Sequence, residues 1–291
     1  MHIDTVLDTW NEWAAAHLKP ATVSLYHRFA AQLFDHSQVT QLPDLSRPHV
    51  EAWKIYEMKQ CAPRSVNNKV RQAHSVVKWA MEYFEVAMRD PFVGVRKCRE
   101  TKRPPKYLTE EQVYLLLDGA WCHSTNAYLG FALSIYAGLR KGEVSFARWE
   151  WIDWGRNCIL IQPVYSERGD LLWEPKNQGS AGETPLHPRL HKILDTYKRP
   201  DGWMLAPDKA VTSDYRYRYD WKRSFQTVVD GAGLPWVTPH VLRHTLASNM
   251  ARSGYTMRQI QAVLRHSDPR STSVYAHLEG AAVDMSRVMH S

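Results

Sequence analysis

The most restrictive feature of the chain is a stretch that cannot be core: residues 96–106 read Arg-Lys-Cys-Arg-Glu-Thr-Lys-Arg-Pro-Pro-Lys. It has no apolar periodicity, its two consecutive prolines oppose helix and central strand, and its charges resist burial. Such a segment reads as an extended tether, so the 291 residues divide into two folding units of ordinary domain size. We expect a helical unit over 1–96, a basic connector over 97–107 and a second unit over 108–291.

Before the tether, apolar residues recur three and four apart: Val6, Leu7 and Trp10, then Val23, Leu25, Phe29 and Leu33. Pro20, Gln41-Leu42-Pro43 and Cys61-Ala62-Pro63 punctuate the pattern, and a run from Ser65 continues through Val66, Val70, Val76, Val77, Trp79 and Ala80. This predicts a bundle of four or five helices. Arg64, Lys69, Arg71 and Lys78, interleaved with Asn67, Asn68 and His74, lie along the last run. They form either a stripe for gripping phosphates or the solvated face of a helix.

After the tether, Thr109 with Glu111-Gln112 opens a helix, and Asn126 is expected to cap the next, which runs through Leu129, Phe131, Leu133 and Ile135 to Gly138. Cys158-Ile159-Leu160-Ile161, Leu171-Leu172-Trp173 and Thr184-Pro185-Leu186 read as short strands, separated by Gly169 and Asn177-Gln178-Gly179. They predict a small antiparallel sheet before the helical pattern resumes. The expected fold class is mainly α with a small antiparallel β-sheet, in two domains.

Charge and cysteine usage narrow the function classes. A net charge of +7 and a pI near 9.2 fit a polyanionic partner. Cys61, Cys98, Cys122 and Cys158 are scattered and form no Cys-x-x-Cys pair, so neither a zinc site nor a disulfide framework is expected, and a reducing cytosol is the simplest home. The chain opens without a basic segment leading into an apolar run, and no stretch approaches the ~20 apolar residues that cross a bilayer. Neither secretion nor membrane insertion is expected.

Several segments can carry chemistry. Thr238-Pro239-His240-Val241-Leu242-Arg243 reads as a helix start, with His240 and Arg243 on one face beside the free N–H groups of the first turn, an arrangement suited to an anion. Arg140 follows Gly138-Leu139 at a helix junction, with Glu143 placed to hold it. Lys176 falls in the turn between two predicted strands. After Gly254, the capping box Thr256-x-x-Gln259 starts a helix through Ile260, Val263 and Leu264 to His266. Ser267-Asp268-Pro269 then turns the chain, and a short helix from Ser271 presents Tyr275. Taken singly, each has an ordinary alternative: a surface His, a structural ion pair, a solvated lysine, a packing tyrosine.

Together and in this order, the segments resemble the tyrosine recombinase (phage integrase) family. Ala137-Gly138-Leu139-Arg140-Lys141-Gly142-Glu143-Val144 resembles the segment bearing that family's first catalytic arginine, and Thr238-Pro239-His240-Val241-Leu242-Arg243-His244-Thr245 resembles its His-x-x-Arg segment. Leu264-Arg265-His266 followed by Thr272-x-x-Tyr275 resembles its last block, which ends in the nucleophile. The resemblance spans roughly residues 108–280, and the first half looks like the family's helical core-binding domain. Two positions depart from the pattern. Arg265 stands where the family usually has glycine, and Gly182-Glu183-Thr184-Pro185-Leu186 lacks the arginine often found before its Pro-Leu.

The resemblance implies cleavage and rejoining of duplex DNA through a 3′-phosphotyrosyl bond to Tyr275, without cofactor or metal. Arg140 and Arg243 would bind the nonbridging phosphate oxygens, and His240 and His266 would add hydrogen bonds and proton management. Nearby arginines and an imidazole would lower the phenol's pKa or take its proton, and Lys176 would protonate the departing 5′ oxygen. Backbone contacts are expected from Arg64, Lys69, Arg71 and Lys78, from Lys97, Arg99, Lys102, Arg103 and Lys106 in the connector, and from Arg216, Arg218, Lys222 and Arg223. The partners implied are specific DNA sites and a tetramer of the chain on DNA, with accessory DNA-bending or directionality proteins as further candidates. Val283, Met285, Val288 and Met289 offer an apolar stripe for docking on a neighbour or folding back. Competing readings are a type IB topoisomerase, which relaxes DNA without exchanging partners, and a DNA-binding regulator that retains only the fold. A metallohydrolase is disfavoured because His240 and His244 are followed by no third ligand.

Overall fold

The computed structural model describes residues 1–101, 105–175, 181–205, 219, 221–266 and 268–276. It contains two compact units, Met1–Arg103 and Pro104–Ser291.

The first unit is a bundle of α1 (Ile3–His17), α2 (Pro20–Ser37), α3 (Arg47–Met58) and α4 (Pro63–Tyr83), with a single 3₁₀ turn at Leu42–Asp44. Proline starts α2 and α4 at the first helical position, where its missing N–H has no partner to lose. Each helix buries one stripe: Ile3, Val6, Trp10 and Ala14 from α1, Phe29, Ala30, Leu33 and Phe34 from α2, and Ala73, Val76, Val77 and Ala80 from α4. The indoles of Trp10 and Trp79 meet edge to face, with centroids 5.3 Å apart.

Three polar groups of α4, Lys69, Asn67 and His74, are engaged inside this unit. The Lys69 ammonium donates to the buried Glu57 carboxylate on α3 at 2.5 Å, so Lys69 joins two helices. Asn67 holds the chain at Cys98, accepting from its N–H at 2.8 Å and donating to its carbonyl at 3.0 Å. His74 is paired with Asp90 and stacked on Phe92. Arg64, Arg71, Lys78, Lys97 and Arg99 are exposed, with Lys78 near Glu82 and Arg71 donating to Asn68.

The second unit is built around α6 (Thr125–Tyr136), which is buried on nearly every side. Around it lie α5 (Glu110–His123), α7 (Lys141–Ser145), α8 (Pro188–Thr196), α9 (Lys222–Gly231), α10 (Pro239–Arg252) and α11 (Met257–Leu264). Phe131 of α6 stacks on Phe225 of α9 and meets Trp221 edge-on. The cap of α6 is Ser124, which accepts from the Ala127 N–H at 3.2 Å, and not Asn126. Both residues suit the role chemically; the extended backbone at Ser124 decides between them.

The small antiparallel β-structure expected is present, in two pieces among the described residues. In one, β1 (Ile152–Asp153), β2 (Cys158–Ile161) and β5 (Gly182–Pro185) lie in the order β1-β2-β5, all antiparallel. In the other, β3 (Val164–Tyr165) pairs with β4 (Leu171–Trp173). Among the described residues, β4 pairs with β3, and β5 with β2. Lys176 lies outside the described residues, as do Lys102, Arg103, Arg216, Arg218 and the apolar tail positions Val283, Met285, Val288 and Met289.

Candidate active site

The site is assembled where α6, α10 and α11 end or begin. Gly138 follows α6 at φ +62°, and a Cβ there would stand 2.8 Å from Leu264 Cδ2. Both facts require glycine, which turns the chain sharply into Leu139-Arg140. Thr238 caps α10 with Pro239 in its first turn, and the box of Thr256 and Gln259 caps α11.

These ends bring two distant guanidiniums together. Arg243 on α10 is 4% exposed and donates through Nη1 to the Gly138 carbonyl and through Nη2 to the Leu264 carbonyl. Arg140 donates through Nη2 to the next carbonyl, that of Arg265, at 3.3 Å. Its Nη1 lies 2.6 Å from Glu143 Oε1, while its backbone N–H donates to Glu143 Oε2 at 2.9 Å. Burial and the neighbouring Arg140 pull the Arg243 pKa down to about 9, which leaves it cationic at neutral pH.

Arg265 completes the cluster. It ends α11 in the left-handed region, φ 52°, where glycine is the unstrained choice, yet the residue is 5% exposed and Nη2 donates to Glu143 Oε2 at 2.7 Å. Glu143, 2% exposed, therefore lies between two arginines. Burial alone raises its pKa, but the charges of Arg265 and then Arg140 outweigh that, and the net shift is downward.

Tyr275 sits in a 3₁₀ turn, 1% exposed, among Ala247, Ala251, Ile260 and Leu264. Its hydroxyl is hydrogen-bonded to His244 Nδ1 on α10, one residue beyond Arg243. Burial pushes the phenol up to about 12, against the opposing pull of Arg243. The phenol is therefore un-ionised at neutral pH, with the His244 imidazole against its oxygen. His244 is held neutral, its pKa lowered to about 4 by burial, His240 and Arg243.

His266 follows Arg265 and bonds through Nδ1 to the Thr272 hydroxyl at 2.8 Å. Burial, then Arg243 and Arg140, lowers its pKa to about 4 as well. His240 is exposed in the first turn of α10, its ring 6.3 Å from that of His244. An open cleft of about 430 Å³ runs between β5 and α11, lined by Ala181, Gly182, Glu183, Arg258, Gln261, Ala262, Arg265 and His266. Glu183, beside the place where the family's arginine was absent, is paired with Arg156 at 2.6 Å. Buried Thr184 ties β5 to α11 by donating to the Val263 carbonyl at 3.1 Å.

The structure thus gathers Arg140, Glu143, Arg243, His266 and Tyr275, leaves His240 at the exposed edge, and adds His244 and Arg265. The four-residue spacing of His240 and His244 on one helix face was the available signal for the former. Lys106, Lys222 and Arg223 lie apart on the surface, Lys106 over the Trp236 ring at 5.3 Å. Among the described residues, no group of three or more His, Cys, Asp or Glu is arranged to hold a metal ion, and no helix is long and apolar enough to cross a membrane.

Residues 106–281 match the model of the phage integrase family. A tyrosine recombinase of Pseudothermotoga lettingae is 23% identical over 246 residues, covering 82% of this chain and 80% of that protein. The tyrosine recombinase XerC of Pseudomonas syringae pv. syringae is 22% identical over 274 residues, 90% of this chain and 87% of that protein. Two solved structures share the fold at 16% identity. They are a lambda integrase dimer bound to a COC′ core site, with TM-score 0.74 over 98% of this chain and 79% of that one, and the Tn1549 transposon integrase in complex with transposon right end DNA, with TM-score 0.73 over 100% of both.

Proposed function

Because the chain belongs to the phage integrase family, we propose that it is a site-specific DNA recombinase in which Tyr275 attacks a backbone phosphate under the charges of Arg140 and Arg243. The observation that carries this reading is the convergence of the two guanidiniums on the successive carbonyls of Leu264 and Arg265, beside His266 and in the unit that holds Tyr275. A phosphodiester repels nucleophiles until the charge developing on its nonbridging oxygens is met by preorganised donors. Two of the five N–H groups of the Arg140 side chain are engaged by Glu143 and the Arg265 carbonyl, and the remainder suit those oxygens.

The phenol begins un-ionised and buried, so it must turn outward to meet phosphorus, and His244, in contact with its oxygen, takes the proton as attack proceeds. Tyr275 Oη bonds to phosphorus, the 5′ oxygen leaves with a proton from Lys176, and a 3′-phosphotyrosyl bond conserves the energy of the broken ester. A 5′ hydroxyl from a second strand reverses the step, which joins new partners without a nucleotide. His266 orients the phosphate. Exposed basic groups such as Arg64, Arg71, Lys97 and Arg99 grip the backbone, and copies of the chain assemble as a tetramer on paired duplexes.

The test uses a pool of nicked duplexes of random sequence, incubated with the purified full chain and then denatured. Wild type should retain DNA covalently, and sequencing that DNA identifies its site. Tyr275→Phe should bind the same duplexes and retain none. An adduct in the Phe variant, or its absence in wild type, refutes the proposal.

A further inference from the structure

The Glu143 carboxylate holds two arginines, and only one of them is accounted for by the proposed phosphate clamp. The second, Arg265, occupies a left-handed position where a side chain costs energy and glycine would not, and where the resembling family usually has glycine. Its guanidinium is nonetheless buried and directed at Glu143 Oε2 at 2.7 Å. A strained, buried cation requires a compensating use.

We propose that Arg265 is a positioning residue of the phosphate site: by sharing Glu143 with Arg140 it neutralises the carboxylate and leaves the buried cluster with two net positive charges for the reacting phosphate. The inference rests on the recombinase reading above and deepens it. Without Arg265, the charges of Arg140 and Arg243 against Glu143 leave one net positive charge; with it, three guanidiniums face one carboxylate. A phosphodiester carries one negative charge, and attack by an oxyanion adds a second on the equatorial oxygens. An excess of two matches the transition state better than the ground state, which is what accelerates a reaction.

The geometry supports a directed role. Glu143 Oε1 takes Arg140 Nη1, while Oε2 takes the Arg140 backbone N–H and Arg265 Nη2, so each oxygen is engaged. Arg140 in turn donates to the carbonyl of Arg265 itself. The two arginines are thus locked reciprocally, and a shift of one displaces the other. Arg265 also lines the open cleft together with His266 and Arg258.

Arg265→Gly is the informative variant, because glycine relaxes the φ 52° backbone while removing the cation. The probe is the most abundant duplex recovered by wild type from the random nicked pool, resynthesised in two forms. One carries the natural phosphodiester at the cleaved position; the other carries a methylphosphonate, in which a neutral methyl replaces one charged nonbridging oxygen. Single-turnover adduct formation, DNA affinity and thermal unfolding are measured for wild type, Arg265→Gly and Arg265→Lys. On the natural ester Arg265→Gly should be slower by about tenfold or more, below the 10²–10³ typical of a donor in direct contact, with affinity little changed. Arg265→Lys should recover part of the rate. On the methylphosphonate the gap between wild type and Arg265→Gly should shrink to roughly threefold or less, since less charge then needs compensation. An equal loss on both substrates means a merely structural arginine and overturns the inference, as does a wild-type rate in Arg265→Gly. Wild type forming no adduct from the pool overturns the recombinase reading and this inference together.

Discussion

Among the described residues Glu143 is the one negative group of the buried cluster, and exchanging it for an amide of the same shape isolates the value of its charge. Glu143→Gln keeps a carbonyl acceptor but removes the anion facing Arg140 at 2.6 Å and Arg265 at 2.7 Å. Breaking a buried pair from one side costs roughly 3–5 kcal/mol, because the partner is left buried without a counter-charge. The second unit, Pro104–Ser291, is of a size at which about 1 kcal/mol moves Tm by roughly 2–4 °C. Calorimetry of the full chain should therefore show the second unit's transition lowered on the order of 6–20 °C at pH 7, with the first unit's unmoved. The difference should also depend on pH. Although burial raises the Glu143 pKa, Arg265 and Arg140 bring it below the ordinary value. Its stabilisation is complete above the unfolded carboxylate pKa of about 4.3 and is lost as pH falls through the lower folded value. The Gln variant lacks that titration, so the two Tm curves should converge in acid. A variant that melts within about 2 °C of wild type at pH 7, less than 1 kcal/mol would produce, would refute the reasoning, and so would a gap that stays constant in acid.

Other outcomes follow from the same geometry. Lys69→Ala should destabilise the first unit by on the order of 3 kcal/mol by stranding Glu57, and leave the salt dependence of DNA binding unchanged; a shallower log–log slope at unaltered stability would place Lys69 on the backbone instead. His244 and His266 take up a proton only near pH 4 in the folded chain, against about 6.5 unfolded. The unfolded chain therefore protonates first, and the urea midpoint should fall as pH drops from about 6.5 towards 4. A midpoint unchanged between pH 7 and 5 contradicts their burial as neutral rings.

How much of this was legible in the sequence depended on the range of the interaction. The capping boxes at Thr109 and Thr256 and the turn at Gly138 form as their local sequences dictate, because cap and partner are three residues apart or the backbone itself demands glycine. Strands β1 and β3 are two residues long, too short to display an alternation, so neither could be read, although their partners β2 and β4 were. Lys69 looked like one member of a helical charge stripe because Glu57, which determines its fate, lies on another helix. Arg265 stood out as an irregularity in a familiar block, but that its side chain would seek Glu143, 122 residues earlier, is a property of the fold alone. The spacing of His244 from His240 marked its helix face, but only tertiary packing brings it to Tyr275.

The two carbonyls that Arg243 holds close the ends of different helices, 105 residues before it and 21 residues after it. It is a keystone of the architecture as well as a buried charge. Loss of this arginine would leave both carbonyls without that donor, whereas the phenolic oxygen of Tyr275 is bonded to His244 alone among the described residues. Persistence of the arginine alone is therefore a poor guide to a working enzyme, and an inactive Arg243 mutant speaks about catalysis only after its folding has been measured.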